Sequence, residues 1–111
     1  MIIMENNKVV CTIYQTGTAS YLFCGWEEAK ENFSINDYEN KYEMKLDDEL
    51  DVMILEKLFE LFNINHPQDY QCRSMSVSDI VRIERNGNFI WYYCDRIGWK
   101  DITDKISNTQ V

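Results

Sequence analysis

One histidine, one cysteine and two aspartates fall close together in the chain: His66, Asp69, Cys72 and Asp79. Cysteine with histidine is the composition of a nucleophile site, in which the imidazole takes the thiol proton and a carboxylate orients the ring. The same side chains could also be offered to a metal ion. Neither reading is specific. A triad is a geometric arrangement that spacing cannot supply, and the spacing of His66, Asp69 and Cys72 matches no recognised ligand pattern. The plainer reading is a polar loop with a turn-capping histidine. No catalytic residue, metal or cofactor is therefore expected.

Ser74, Ser76 and Ser78 alternate just ahead of Asp79. On a strand they would share one face and could form a recognition edge. The simpler expectation is side-chain-to-backbone bonding that shapes the loop. Trp91, Tyr93 and Trp99 could form an aromatic contact patch, although at least two of them are expected in the core.

Charge placement says more about partners. The span from Trp26 to Glu60 carries 12 acids and four lysines, which accounts for the whole net charge of −8; the remainder is balanced. Phosphate binding needs a basic footprint, so direct nucleic-acid binding is disfavoured. A partner protein with a basic surface fits the field better. The acidic contact candidates are Glu27, Glu28, Glu31, Asp47, Asp48 and Asp51. A second contact is expected at the loop residues Asp69, Arg73, Ser74, Ser76 and Asp79.

These residues need a scaffold. At 111 residues the chain is expected to form one domain over residues 1–111, long enough to bury a core without metal or disulfides. The four cysteines include no C-x-x-C pair, so a zinc ribbon or thioredoxin-like site is not expected. They should be free thiols in a reducing cytosol. No secretory signal and no run of about 18 apolar residues is visible, so the expected location is the cytoplasm.

Residues 1–7 read as a frayed start. Lys8 to Thr16 is rich in β-branched and aromatic residues and predicts a strand, with a short second strand over Tyr21 to Cys24. Gly25 to Asn32 predicts a short helix, with Glu27 and Glu28 near its positive end. Tyr38, Tyr42, Met44 and Leu46 share one parity, and the spacing predicts a half-buried strand over Tyr42 to Leu46. Asp47 to Phe62 carries the i, i+3, i+4 rhythm of a helix capped by Asp47 or Asp48. Asn63 to Ser76 reads as a long polar loop. Asn86-Gly87 is a type I′ hairpin signal between strands starting at Asp79 and ending at Cys94. It places Val81, Ile83, Ile90, Tyr92 and Cys94 on a core face and Arg82 opposite Trp91 on a mixed one. Trp99 to Ile102 predicts a short returning strand, and residues 104–111 read as a loose tail. The order implies an α+β fold: a small, mainly antiparallel sheet with two helices packed on one face.

Two blocks carry a family resemblance. FNINHPQDYQCRSMSVSDIV (Phe62–Val81) resembles the YodL-like family in its N-x-x-x-P-x-D followed by an aromatic residue, and in its S-x-S-V-S-D run. YYCDRIGWKDI (Tyr92–Ile102) resembles that family's Y-Y-x-D-x-x-G block. The upstream pattern of Tyr14-Gln15, Phe23-x-x-Trp26-Glu27 and Tyr38-x-x-x-Tyr42-Glu43 also fits. The resemblance implies Pro67, Asp69, Ser74, Ser76, Ser78, Asp79, Tyr93, Asp95 and Gly98 as signature positions. Where the family often has glycine and histidine before the first serine, this chain has Cys72 and Arg73.

The resemblance further implies a domain of Gram-positive mobile genetic elements, found alone or within large anti-defence proteins. With the acidic charge it leads to an expected function: a non-enzymatic anti-CRISPR inhibitor that binds a type II effector nuclease. The guide and target channel of such effectors is positively charged. Two alternatives stand beside it: a regulator that binds another host protein, such as a cytoskeletal or conjugation factor, and a guide-RNA-directed nuclease using His66, Asp69, Arg73 and Asp79.

Overall fold

The structure, a computed structural model, describes residues 8–17, 22–64, 68–69 and 74–109. Five antiparallel strands form one sheet. They are β1 (Lys8–Thr16), β2 (Tyr38–Asp47), β3 (Ile80–Arg85), β4 (Asn88–Cys94) and β5 (Trp99–Asp101), in the order β2-β1-β3-β4-β5. Among the described residues three α-helices accompany it, α1 (Trp26–Ala29), α2 (Asp51–Asn63) and α3 (Thr103–Thr109), together with a 3-10 turn at Ile35–Asp37 just before β2. No helix is long and apolar enough to cross a membrane among the described residues.

The hairpin obeys its turn chemistry. Asn86 and Gly87 both adopt positive φ, 52° and 81°, as a type I′ turn requires. Arg85 then faces Asn88, Val81 faces Tyr92 and Arg82 faces Trp91, the expected register. β1 is an interior strand and buries side chains on both faces, including Thr12, Gln15 and Thr16.

Alternation along the strands separates two cores. On one face Val9, Cys11, Ile13, Val81 and Ile83 meet Ile54, Leu55, Leu58 and Phe62 of α2. On the other, Ile80, Trp91 and Tyr93 meet Trp26 and Ala29 of α1 and Ile106 of α3. The expectation of two helices on a single face therefore does not hold. The face expected to be mixed is a second aromatic core, with Trp26 against Tyr93 at a centroid distance of 5.0 Å and against Phe33 at 5.2 Å. Edge contacts of this kind add about 1 kcal/mol each beyond burial.

A β-bulge explains how Tyr38 joins that second core. Ile13 pairs with Tyr42, but Tyr14 pairs with Asn40, so Lys41 is an extra residue in β2. The extra residue reverses the facing of everything before it. Tyr38 therefore packs in the second core while Tyr42, Met44 and Leu46 line the first, although all four share one parity in sequence.

Three other expectations change. The strand expected over Tyr21 to Cys24 is a turn at Leu22 and Phe23, with Phe23 at φ 65°; Tyr21 lies outside the described residues, as does the expected frayed start at residues 1–7. The acids at the head of the second helix do not cap it: Asp47 ends β2, and Leu50 is the N-cap without a side-chain bond. The tail expected to be loose is helical over Thr103–Thr109. Ile102 and Ile106, one turn apart, are both buried in the second core. Thr103 Oγ1 accepts from the Trp91 N–H at 2.9 Å, which ties the helix start to β4.

Candidate functional site

The serine–aspartate run is where the structure concentrates its buried polar bonds. It is not a strand. Val77 and Ser78 form a turn, and Ser78 has φ 86°. The turn closes on itself: the Ser76 N–H donates to Asp79 Oδ2 at 2.9 Å, and the Asp79 N–H donates to the Ser76 carbonyl at 3.0 Å. The β1–β3 ladder, continued by one step beyond Tyr14 and Ile80, places Gln15 opposite Asp79. Gln15 Nε2 accordingly donates to Asp79 Oδ2 at 3.0 Å. Both residues are buried, so this bond is shielded from water.

Ser78 ties the turn to the segment ahead of α1. Its Oγ accepts from the Phe23 N–H at 3.1 Å, and its carbonyl accepts from the Tyr38 hydroxyl at 2.6 Å. The Ser78 N–H donates to the Cys94 carbonyl at 2.9 Å. The second signature block completes the clasp. The Tyr93 hydroxyl donates to the Cys24 carbonyl at 2.6 Å, and Asp95 Oδ1 accepts from the Trp26 N–H at 3.1 Å. Gly98, at φ 69°, gives its carbonyl to the Asp95 N–H at 3.0 Å. Gly25 sits close under this clasp: an added Cβ would stand 3.0 Å from Asp95 Oδ1 and 3.1 Å from Arg96 Nε, so those side chains would have to give by a few tenths of an ångström. Ser76, Ser78, Asp79, Tyr93, Asp95 and Gly98 thus act together to hold the irregular 22–26 segment on the sheet.

The other loop candidates are dispersed. Asp69 is exposed and accepts from the Tyr42 hydroxyl at 2.8 Å. Ser74 is exposed, and its carbonyl accepts from Ser76 Oγ at 3.3 Å. Arg73 lies outside the described residues, as do His66, Pro67 and Cys72. Among the described residues, no group of three or more His, Cys, Asp or Glu side chains could hold a metal ion.

The six acidic candidates do not form one surface. Glu27 and Glu28 belong to α1, on the second-core side, with Glu31 just beyond its end; Asp47, Asp48 and Asp51 sit at the head of α2, on the first-core side. Most are also occupied. Asp47 pairs with Lys8 at 2.5 Å, and Asp48 accepts from Arg85 Nε at 2.7 Å. Asp51 pairs with Arg85 at 2.6 Å and accepts from the Tyr92 hydroxyl. Glu28 pairs with Arg96, and Glu27 with Lys30 at 2.9 Å. Lys8, Arg85 and Arg96 come from outside the acidic span and offset three of its eight excess negative charges. The bonds to Asp48 and Asp51 hold the Arg85 guanidinium above its ordinary range, the Asp48 bond being the largest cause.

What remains outward on α2 is a mixed apolar and acidic face. Val52, Met53 and Phe59 are exposed, and Leu50 and Ile64 flank the helix in the same state. Val52, Glu56 and Phe59 fall at i, i+4 and i+7 and share a flank. Glu56 and Glu60 are exposed with them. The helix buries Ile54, Leu55, Leu58 and Phe62 and leaves Phe59 39% exposed.

On the opposite face lies a groove of about 660 Å³, lined by Tyr14, Asn36, Arg82, Asn88, Phe89 and Trp91 among others. The hairpin register identified the Arg82–Trp91 pair. It gave no sign of Tyr14, because β1 neighbours β3 only in the folded sheet.

Two of the thiols, Cys11 and Cys94, are inert by placement. Burial pushes the Cys11 thiol up from 9.0 to about 11 and the Cys94 thiol up to about 12. Burial, helped by the bond to Asp51, also raises the Tyr92 hydroxyl. A group with a raised folded-state pKa stabilises the fold fully below its unfolded value, and that contribution is lost as pH rises through the folded value. The urea midpoint should therefore hold steady below pH 9 and fall progressively above it. In a Cys72→Ser background, an aromatic disulfide reagent at neutral pH should label Cys24 alone until urea unfolds the chain. Labelling of Cys11 or Cys94 at the rate of Cys24 would contradict their burial.

Comparison with curated proteins and with solved structures found no match. The family model described as the YodL-like domain matches residues 10–104. That span runs from β1 into α3 and contains the whole clasp, so the chain belongs to the YodL-like domain family.

Proposed function

We propose that this protein acts by binding, with no chemistry of its own, to a partner protein that presents a basic surface. The partner favoured by the family context is a type II CRISPR effector nuclease, which makes the protein an anti-CRISPR inhibitor of guide-RNA or DNA engagement. The observation that supports this reading is the outer face of α2, where Val52, Met53 and Phe59 stand exposed among Glu56 and Glu60. Exposed apolar side chains beside two acids, with the one lysine of the helix, Lys57, paired to Glu49 at 2.7 Å, fit a partner whose contact surface is apolar at its centre and basic at its rim. The field of a chain with net charge −8 favours the same partner. Asp79 points away from catalysis, since its Oδ2 is occupied by Gln15 and Ser76 inside the fold.

The test reverses charge where the fold does not depend on it. Glu56→Lys, Glu60→Lys and Phe59→Lys, combined, leave the Arg85 bridges intact. The effector, its guide and a target duplex are incubated with wild type or variant, and cleavage is followed on a gel. Wild type should inhibit, and the triple variant should lose about tenfold or more in potency with an unchanged far-ultraviolet spectrum. Equal inhibition by the variant would rule out this face of α2. No inhibition and no co-elution by wild type would rule out the effector as partner. Guide RNA cut during the incubation would replace the binding reading with a nuclease.

A further inference from the structure

The groove on the second face contains a charge that pairs directly with no carboxylate among the described residues; Glu43 is linked to it only through Thr12, whose Oγ1 donates to Glu43 Oε2 at 3.4 Å. Arg82 is half-buried near the middle of β3, between β1 and β4. Among the described residues, Arg85 and Arg96 each hold carboxylates, whereas no carboxylate pairs with Arg82. Its one hydrogen bond is a long one from a terminal nitrogen to Thr12 Oγ1, at 3.4 Å. Its Nε is buried without a partner. A buried charge is costly unless paired and hydrogen-bonded. The neighbouring rings compensate in part: the guanidinium carbon lies 4.6 Å from the Phe89 ring centroid, 5.5 Å from that of Trp91 and 5.8 Å from that of Tyr14. Such rings hold the cation in place but do not satisfy its N–H groups.

We infer that this groove is a binding site for a small ligand that carries an oxyanion on a flat heteroaromatic ring, the chemistry of a nucleoside monophosphate. The oxyanion takes the terminal N–H groups of Arg82, since Nε is closed off from the groove, and a guanidinium suits carboxylate and phosphate alike. The ring stacks beside Phe89, which is 43% exposed and so has surface to offer. The Asn36 and Asn88 side chains line the groove as amides that can both donate and accept along a ring edge. The volume of about 660 Å³ accommodates a ligand of this size. The site lies across the sheet from the outer face of α2 and is independent of the function proposed for that face.

Calorimetric titration of the full chain separates the possible sources of this chemistry. The probes are adenosine and uridine monophosphates, adenosine, inorganic phosphate and indole-3-carboxylate. The ring-bearing anions should bind saturably, and adenosine or phosphate alone about tenfold or more weakly. Arg82→Gln should weaken the binding of the ring-bearing anions by a similar factor, and Arg96→Gln, at an exposed site, should leave it unchanged. Binding by the monophosphates but not the indole acid identifies a nucleotide site; the reverse identifies an aryl carboxylate site. Failure of every ring-bearing anion at millimolar concentration overturns the proposal, as does wild-type affinity in folded Arg82→Gln. Should that variant not fold, nuclear magnetic resonance of the wild type decides. Ligand must shift the Arg82 Nε–H and Trp91 indole signals, and shifts confined elsewhere overturn the assignment.

Discussion

Asp79→Ala should destabilise the fold by about 3 kcal/mol, with a fall in melting temperature of roughly 12–20 °C. The side chain is fully buried, and its Oδ2 accepts from both Gln15 Nε2 and the Ser76 N–H. Truncation leaves the Gln15 amide, itself 4% exposed, without that acceptor in the interior, and an unmet buried donor costs about 1–3 kcal/mol. The turn that presents Ser78 to Phe23 and Tyr38 loosens as well. Asp79→Asn keeps an oxygen in place and should cost less than half as much. Thermal melts of the two variants beside wild type make the measurement. A melting temperature for Asp79→Ala within about 2 °C of wild type would mean that the aspartate is not structural. The acid would then return as a candidate for chemistry.

Asp51→Lys should be the second severe change, at about 3–4 kcal/mol. The carboxylate joins α2 to the hairpin through Arg85 and the Tyr92 hydroxyl, and the Arg85 and Asp51 side chains are 26% and 20% exposed. Lysine at this position removes both bonds and sets a second cation beside Arg85. Breaking a partly buried pair in this way costs several times an exposed one. Glu31→Lys, at an exposed site past the end of α1, should change stability by less than about 0.5 kcal/mol. Urea titrations of both variants give the comparison directly. Equal midpoints would show that the Arg85 cluster holds nothing together. A large difference would also mean that the acids of this chain cannot be treated as one interchangeable surface.

That last point illustrates how the sequence misleads. Its acids are contiguous in sequence from Trp26 to Glu60, and linear charge counting reads them as a patch. Folding sends α1 and α2 to opposite faces of the sheet and brings Lys8, Arg85 and Arg96 back onto the acids. The parity of Tyr38 misleads in the same way, because a single extra residue at Lys41 reverses which face the strand presents. The helical tail was missed because its one buried apolar side chain, Ile106, makes no periodic pattern alone; its partner Ile102 lies before the helix starts.

What the sequence determined by itself is local. The Asn86-Gly87 turn set the hairpin register residue by residue, since positive φ at both positions leaves one geometry open. The apolar spacing of α2 and the β-branched run of β1 named those elements, and the two signature blocks named the family. Only the tertiary structure decided what those blocks do. Ser78, Asp79, Tyr93 and Asp95 find their partners at Phe23, Gln15, Cys24 and Trp26, some 55 to 70 residues away in the chain. No local propensity encodes such pairs. They arise when β1 docks between β2 and β3 and the buried polar groups must all be satisfied at once. The groove around Arg82 was hidden for the same reason: its walls come from β1, β3, β4, the start of β2 with the residues just before it, and α3, which only the folded sheet brings together.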